Sequence, residues 1–293
     1  MELPAAASSD CTWLAVSVDN STPARPQSGV SEASIVYEFP AEGGITRLLT
    51  FFCDGAPEVV GPVRSLRIYM LDLARDYGAV VAHSGQSSSA LEVIRRGEDP
   101  VINEFWQAKP FHRDRHRQMP HNLYTSVPEL RQYVQRPQAS PLPHWTTADG
   151  PLEQEPMIIS IPYAPGYDVQ FAYDPKTGTY GRAIAGHPAI DAATGTQMRA
   201  AALVVQYVHW WQTFEDNILE SRLDLVGSGP ISVFTGGGRI DGQWTRPDAH
   251  SPTVFTDAAG QPLVLRPGLT WVNIVSSDRV VQVERTRPKW QAQ

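Results

Sequence analysis

The sequence predicts an α+β fold: an N-terminal mixed α/β domain followed by a C-terminal β-rich antiparallel domain. Three observations predict it. Short apolar runs alternate with helical stripes in the first half, strand-like runs follow one another between Gly/Asp turns in the second, and a proline-rich stretch separates the two. At 293 residues the chain has room for two domains, and its 25 prolines and 22 glycines exclude long uninterrupted helices.

Strands are expected at Thr12–Val18, which alternates apolar and polar residues, at the β-branched and aromatic runs Ile35–Phe39 and Thr46–Phe52, and at Ala79–Ala82. Between the last two, Ser65–Tyr77 spaces Leu66, Tyr69, Leu73 and Tyr77 as one helical stripe. Ser88–Arg96 is a second helix, ending in two arginines that suit a helix C-terminus. Val127–Val134 is a third, with Ser126 as N-cap and Pro128 in its first turn. The composition changes over 137–156, where five prolines mark a linker between an N-terminal domain at 12–136 and a C-terminal one at 157–285. Strand-like runs in the latter are Val169–Tyr173, Ala202–His209, Ser221–Val226, Ile231–Phe234, Gln243–Arg246, Thr253–Phe255 and Thr270–Val275.

With 24 Lys+Arg against 31 Asp+Glu, the formal charge of −7 argues against nucleic acid or anionic lipid as a partner of the whole surface. Any anion site must be local. Lysine occurs only at Lys109, Lys176 and Lys289, so nearly every basic side chain is a planar guanidinium fork suited to carboxylate or phosphate. No run approaches the roughly 18 apolar residues of a membrane span, and no signal peptide leads the chain. That leaves a cytoplasmic protein, or one whose export segment lies outside this sequence. Cys11 and Cys53 are compatible with one disulfide, two free thiols or no role.

Three segments of the first half concentrate polar chemistry. Glu42-Gly43-Gly44 through Arg47 joins two strands by a glycine turn that permits positive φ, with Glu42 and Arg47 flanking it. Arg64-Ser65-Leu66-Arg67 enters a helix, where arginines oppose the dipole unless an anion also sits there. The competing explanation pairs Arg64 and Arg67 with Asp72 or Glu42. His112-Arg113-Asp114-Arg115-His116-Arg117 is the dense basic cluster, readable also as a solvated loop, and Pro120-His121-Asn122 follows it with two directional hydrogen-bonding side chains. Signatures of serine hydrolases, P-loops, dinucleotide folds and zinc proteases are missing. His83-Ser84-Gly85 follows a strand and opens a helix, which is a weak phosphate-loop signal. A metal site of His83, His121 and Glu42 or Glu38 is not demanded by the spacing, and neither metal nor cofactor is expected.

These segments also carry a resemblance. Ala24-Arg25-Pro26-Gln27-Ser28-Gly29, Ala41 through Arg47, Gly61-Pro62-Val63-Arg64-Ser65, Arg113-Asp114-Arg115 and Pro120 through Thr125 resemble the YerB family of bacterial putative lipoproteins, a two-domain family of unknown function. In the second half Tyr180-Gly181-Arg182, Gly186-His187-Pro188, Asp191, Thr194-Gly195, Gly242-Gln243-Trp244 and Leu265 through Trp271 extend the likeness to about 12–285. Ser84 stands where relatives often carry alanine and His112 where an aromatic is common, which weakens a role for either. The resemblance implies export and a lipid anchor at the outer face of a membrane, attached upstream of this sequence. An oxidising compartment then makes Cys11–Cys53 a disulfide.

The expected function is an extracytoplasmic binding protein. In it Glu42, Arg47, Arg64, Arg67, Arg113, Arg115, His121 and Asn122 hold an anionic cell-envelope ligand, a cell-wall fragment or phosphorylated polymer. One alternative is a hydrolase or transferase on an envelope glycan or phosphodiester, with His121 or His83 as general acid/base and Glu42 as a second carboxyl-type acid/base. Another is an adaptor for an envelope protein, its arginines paired with Glu38, Glu42, Asp72 and Asp114.

Overall fold

The alternating run at the start forms β1 (Leu14–Asp19), the two β-branched runs form β2 (Ile35–Pro40) and β3 (Thr46–Phe52), and all three are buried on both faces. The computed structural model describes residues 12–290 apart from 98, 135–144, 166 and 289. Gly43 and Gly44 take φ of 78° and 71° in the β2–β3 turn, as a glycine pair there requires. Then follow α1 (Ile68–Arg75), β4 (Val80–His83), α2 (Ser88–Arg95), β5 (Val101–Asn103), the short pair β6 (Phe111–Arg113) and β7 (Leu123–Thr125), and α3 (Val127–Arg131). Ser87 caps α2 through its hydroxyl to Ala90 N–H, and Ser126 caps α3 through Glu129 N–H. Helix α1 starts three residues later than the apolar stripe predicts. Leu66 spends its N–H on Gly85 O and its C=O on Ser87 N–H, so 64–66 runs extended beside the 85–87 loop.

The expected linker lies outside the described residues as far as 144. From there β8 (Trp145–Thr147), β9 (Met157–Ala164), β10 (Tyr167–Asp174) and β11 (Thr179–Ile184) lead into the second half. Its longer strands are β12 (Ala202–Val208), β13 (Trp210–Glu215), β14 (Ile218–Leu223), β15 (Gly227–Thr235), β16 (Gly238–Arg246), β17 (Val254–Asp257), β18 (Leu263–Leu265), β19 (Thr270–Ser276) and β20 (Gln282–Glu284). The protein is strongly β-rich in both halves, and its few helices are no longer than eight residues among the described ones.

One ten-stranded sheet, β17-β16-β15-β12-β19-β2-β3-β1-β4-β5, runs through both halves. A purely antiparallel C-terminal domain is therefore not what forms. Strand β19 lies parallel to β12 on one side and parallel to β2 on the other, with Ile35 opposite Thr270 and Glu38 opposite Asn273. Period-2 alternation divides the core between the faces. Tyr37, Phe39, Val272 and Ile274 pack with α1 and α2, whereas Val36 and Trp271 pack with α3 and a second sheet, β11-β10-β9-β20.

Across that second contact Glu38 and Arg182, 0% and 1% exposed, form an ion pair of 2.7 Å. Asn20, Thr46 and Trp271 also donate to the Glu38 carboxylate. Asp191 takes the N–H groups of Gly29 and Ser31, tying the halves together again. Gly29 must be glycine there, because its φ is +77° and a Cβ would stand 2.5 Å from Val59 O. Cys53 is disulfide-bonded, and Cys11, its expected partner, lies outside the described residues.

Candidate functional site

Strands β1, β4 and β5 are mutually parallel, so Asp19, His83 and Asn103 stand at one carboxyl edge; antiparallel β3 brings Arg47 there opposite Asp19. Sheets of this kind bind ligands beyond the carboxyl ends of their parallel strands. The extended segment 64–67 crosses this edge, as do the turn at Glu42 and the β6–β7 connection. All three segments singled out from the sequence therefore meet.

An inner cluster surrounds Arg47. Its side chain is buried, Nη1 donates to Ser65 O at 3.2 Å, and Nε makes no hydrogen bond. Arg67 Nη2 lies 3.3 Å from Glu42 Oε2, while its Nε lacks a hydrogen-bond partner and is 4.0 Å from Glu220 Oε1. Glu42 Oε1 accepts Ser221 N–H at 2.8 Å. The Tyr69 hydroxyl and Ser221 Oγ are buried without partners. Arg64 Nε approaches Asp19 Oδ2 to 3.0 Å, an ion pair whose direction is too poor for a hydrogen bond.

The electrostatics follow. Burial lowers the Arg47 pKa, the neighbouring Arg67 lowers it further, and Tyr69, Glu42 and Asp19 offset this only in part. Burial raises the Tyr69 phenol. For Glu42 burial acts upward, yet Arg67, the Ser221 N–H and Arg47 hold the carboxyl below its ordinary range. Four buried donors without hydrogen-bond acceptors, on Arg47, Arg67, Tyr69 and Ser221, thus gather where two guanidinium groups repel each other, and Arg64 Nε beside them meets only the poorly directed Asp19 carboxylate. Each such donor costs about 1–3 kcal/mol. Acceptor oxygens of an anionic ligand or of ordered water would satisfy those that they reach.

An outer ring continues from Arg64. Asp19 Oδ2 is 2.8 Å from His121 Nδ1; burial would raise the Asp19 carboxyl, but Ser21 N–H, His121 and Arg64 bring it below its ordinary value. The Arg64 carbonyl accepts Ser84 N–H, Ser84 Oγ donates to Glu104 Oε2 at 2.6 Å, and Arg113 donates to Glu104 Oε1 at 2.7 Å and to Asn122 Oδ1 at 3.2 Å. Arg113 and Asn122 join His121 there, and Arg64 links the ring to the inner cluster.

Other predicted positions fall elsewhere. Arg115 is exposed and makes no side-chain hydrogen bond or ion pair to these residues. His83 is fully buried, its Nδ1 2.9 Å from Gly85 O, and burial pushes its pKa down to about 4, so it belongs to the core. Arg117 is a brace, donating to the carbonyls of Pro23, Arg25 and Pro26 and to the Tyr124 hydroxyl. Asp72 pairs with Arg75, not with Arg64 or Arg67. Among the described residues no group of three or more His, Cys, Asp or Glu side chains is placed to hold a metal ion, and no helix is long and apolar enough to cross a membrane.

Sequence reasoning missed Asp19, Tyr69, Glu104, Glu220 and Ser221. An acid closing the apolar strand β1 was a signal for Asp19, and Tyr69 was assigned only to a core stripe. Nothing local pointed to Glu220 and Ser221, which arrive from a hairpin of the other half.

A family model described as "Protein of unknown function (DUF3048) N-terminal domain" matches residues 4–140, and its C-terminal counterpart matches 159–272. The chain is 31% identical over 272 residues to "Putative lipoprotein YerB" of Bacillus subtilis (strain 168), covering 89% of this chain and 80% of that protein. The crystal structure of YerB from Bacillus subtilis superimposes with a TM-score of 0.83 at 28% identity, over 94% of each chain.

Proposed function

Since the chain belongs to the YerB-like family of two-domain proteins of unknown function, we propose that it is an envelope-anchored, extracytoplasmic binding protein that holds an anionic cell-envelope ligand between Arg47, Arg67 and Arg64. The observation that carries this is the gathering of four buried, acceptor-less donors around two mutually repelling guanidinium groups. Ligand oxygens take the place of the missing acceptors, Glu42 keeps Arg67 oriented, and Arg113, His121 and Asn122 read the ligand's outer polar edge. The name of the Bacillus relative supports the envelope location.

Titration with inorganic phosphate, lactate and a soluble cell-wall digest tests the site. Arg47→Gln and Arg67→Gln should weaken binding at least tenfold, with smaller losses in Arg64→Ala and Arg113→Ala. Because Arg47 is a buried cation with an unsatisfied nitrogen, Arg47→Gln should leave stability unchanged or raised. Unchanged affinity together with lost stability would show that the arginines serve the fold alone, as the adaptor alternative holds.

A hydrolase or transferase reading is favoured by one contact, the Asp19 carboxylate on His121 Nδ1. A carboxylate so placed fixes the tautomer of an imidazole that moves protons. Turnover of the same digest, abolished by His121→Gln with binding retained, would establish it; binding without turnover would exclude it for that substrate.

A further inference from the structure

Hairpin β13–β14 belongs to neither large sheet, and its two faces do different things. Trp210 and Leu223 pack into the core from one face. The register sets Trp211 opposite Arg222, Thr213 opposite Glu220 and Glu215 opposite Ile218, which places these six on the other face. There Arg222 binds Glu215 and Glu220, and Glu220 approaches Arg67 of the inner cluster. The tip is latched to α2 by Glu215 on Ser89 N–H and Asp216 on the Ser88 hydroxyl.

Since Trp210 and Leu223 seat the hairpin, Trp211 is left over by folding. It is 40% exposed and stacks on His209, with ring centroids 5.1 Å apart and planes at 21°. One step along the strand pair, about 7 Å, separates Trp211 from the Thr213–Glu220 pair that abuts Arg67. An aromatic surface that is 40% exposed therefore stands beyond Glu220, whose Oε1 is 4.0 Å from Arg67 Nε, at the rim of the anion site, with Arg222 beside it.

An electron-rich aromatic face is complementary to the C–H face of a pyranose, while the hydroxyls around the ring meet polar groups such as Arg222. The net charge of −7 disfavours a polyanionic bilayer or nucleic acid, whereas the pairing of Glu215 and Glu220 with Arg222 leaves this face open to a ligand with a single acid group. We infer that the arginine cluster is one end of a saccharide site: an acid-bearing sugar stacks its ring on the face of Trp211 that His209 leaves open and directs its carboxylate toward Arg67. This rests on the anion-binding reading above.

Three probes take the ligand apart: N-acetylmuramic acid carries both ring and carboxylate, N-acetylglucosamine only the ring, and lactate only the carboxylate. Followed by NMR titration, wild-type protein should bind N-acetylmuramic acid at least tenfold more tightly than either of the others. Trp211→Ala should remove that advantage and leave lactate binding intact, and Trp211→Phe should restore part of it. In the unmutated protein the Trp211 indole resonance should move with N-acetylmuramic acid and stay still with lactate, a readout independent of how any variant folds. A still indole, or no preference over lactate, would overturn the saccharide inference alone. If neither acid binds, the anion-site reading falls with it.

Discussion

Replacing Arg182 by methionine removes the guanidinium that Glu38 meets in the core between the two sheets. Glu38 Oε1 accepts from Arg182 Nη2 at 2.7 Å, Thr46 Oγ1 at 2.7 Å and Asn20 Nδ2 at 3.2 Å; Oε2 accepts from Arg182 Nε at 3.2 Å and Trp271 Nε1 at 3.0 Å. Burial by itself would lower the Arg182 pKa, but Glu38, with Tyr167 and Tyr163, more than reverses this, so the guanidinium stays charged in the folded protein. After Arg182→Met three neutral donors remain around an uncompensated carboxylate. Breaking a fully buried pair on one side costs about 3–5 kcal/mol, and these donors place the expected loss near 3 kcal/mol, a large share of the 5–15 kcal/mol typical of a folded protein. Methionine fills much of the volume over Trp271, whose ring Arg182 covers at 5.0 Å, so the deficit is mainly electrostatic. Adding Glu38→Gln should recover most of it, to within about 1 kcal/mol of the unmutated protein. Urea unfolding followed by tryptophan fluorescence and by circular dichroism measures both variants. A loss below about 1 kcal/mol in Arg182→Met, or no recovery in the double variant, would refute the assignment of a buried charge pair at this seam.

Two further outcomes are expected. Burial drops His83 from 6.5 to about 4 in the folded protein, so stability is lost as pH falls from about 6.5 toward 4; burial lifts Asp76 from 3.8 to about 6, so its effect runs the other way, with stability falling as pH rises through that window. The two slopes oppose each other, and His83→Gln should expose the Asp76 slope, making stability between pH 4 and 6 fall more steeply with rising pH by up to about 1.4 kcal/mol per unit; parallel curves of urea midpoint against pH would contradict this. Arg117→Lys replaces a fork that serves three carbonyls and a phenol with a single ammonium. It should cost about 1–3 kcal/mol and speed amide exchange over residues 24–28, and unchanged exchange there would show that Arg117 is not the brace.

What the sequence disclosed was what short-range chemistry decides. Thr46–Phe52 was legible to the residue, because a β-branched and aromatic run buried on both faces has no competing periodicity. Strands β9 and β11 were not foreseen, since Pro162 and Gly181 interrupt them; Gly181 sits where a Cβ would come within 2.8 Å of the Gln197 side chain. The late start of α1 depends on hydrogen bonds from Leu66 to a loop some twenty residues on, which periodicity cannot see.

The site divides along the same line. Glu42, Arg64 and Arg67 sit on a turn and a helix entry and Arg47 at the start of β3 just after that turn, where charge stands out in the sequence. Their setting comes from the parallel pairing of β2 with β19, a contact between distant segments that leaves no local trace. Through that seam the second half presents Ser221 N–H to Glu42 and Glu220 to Arg67. The arginines therefore belong to the first half, but their orientation belongs to both, and the site exists only where the ten-stranded sheet is closed across the seam. Arg182→Met acts from the second sheet on Glu38 of β2, beside that pairing, so it should loosen the proposed ligand binding as well as stability, although Arg182 lies in the core and touches neither Arg47 nor Arg67.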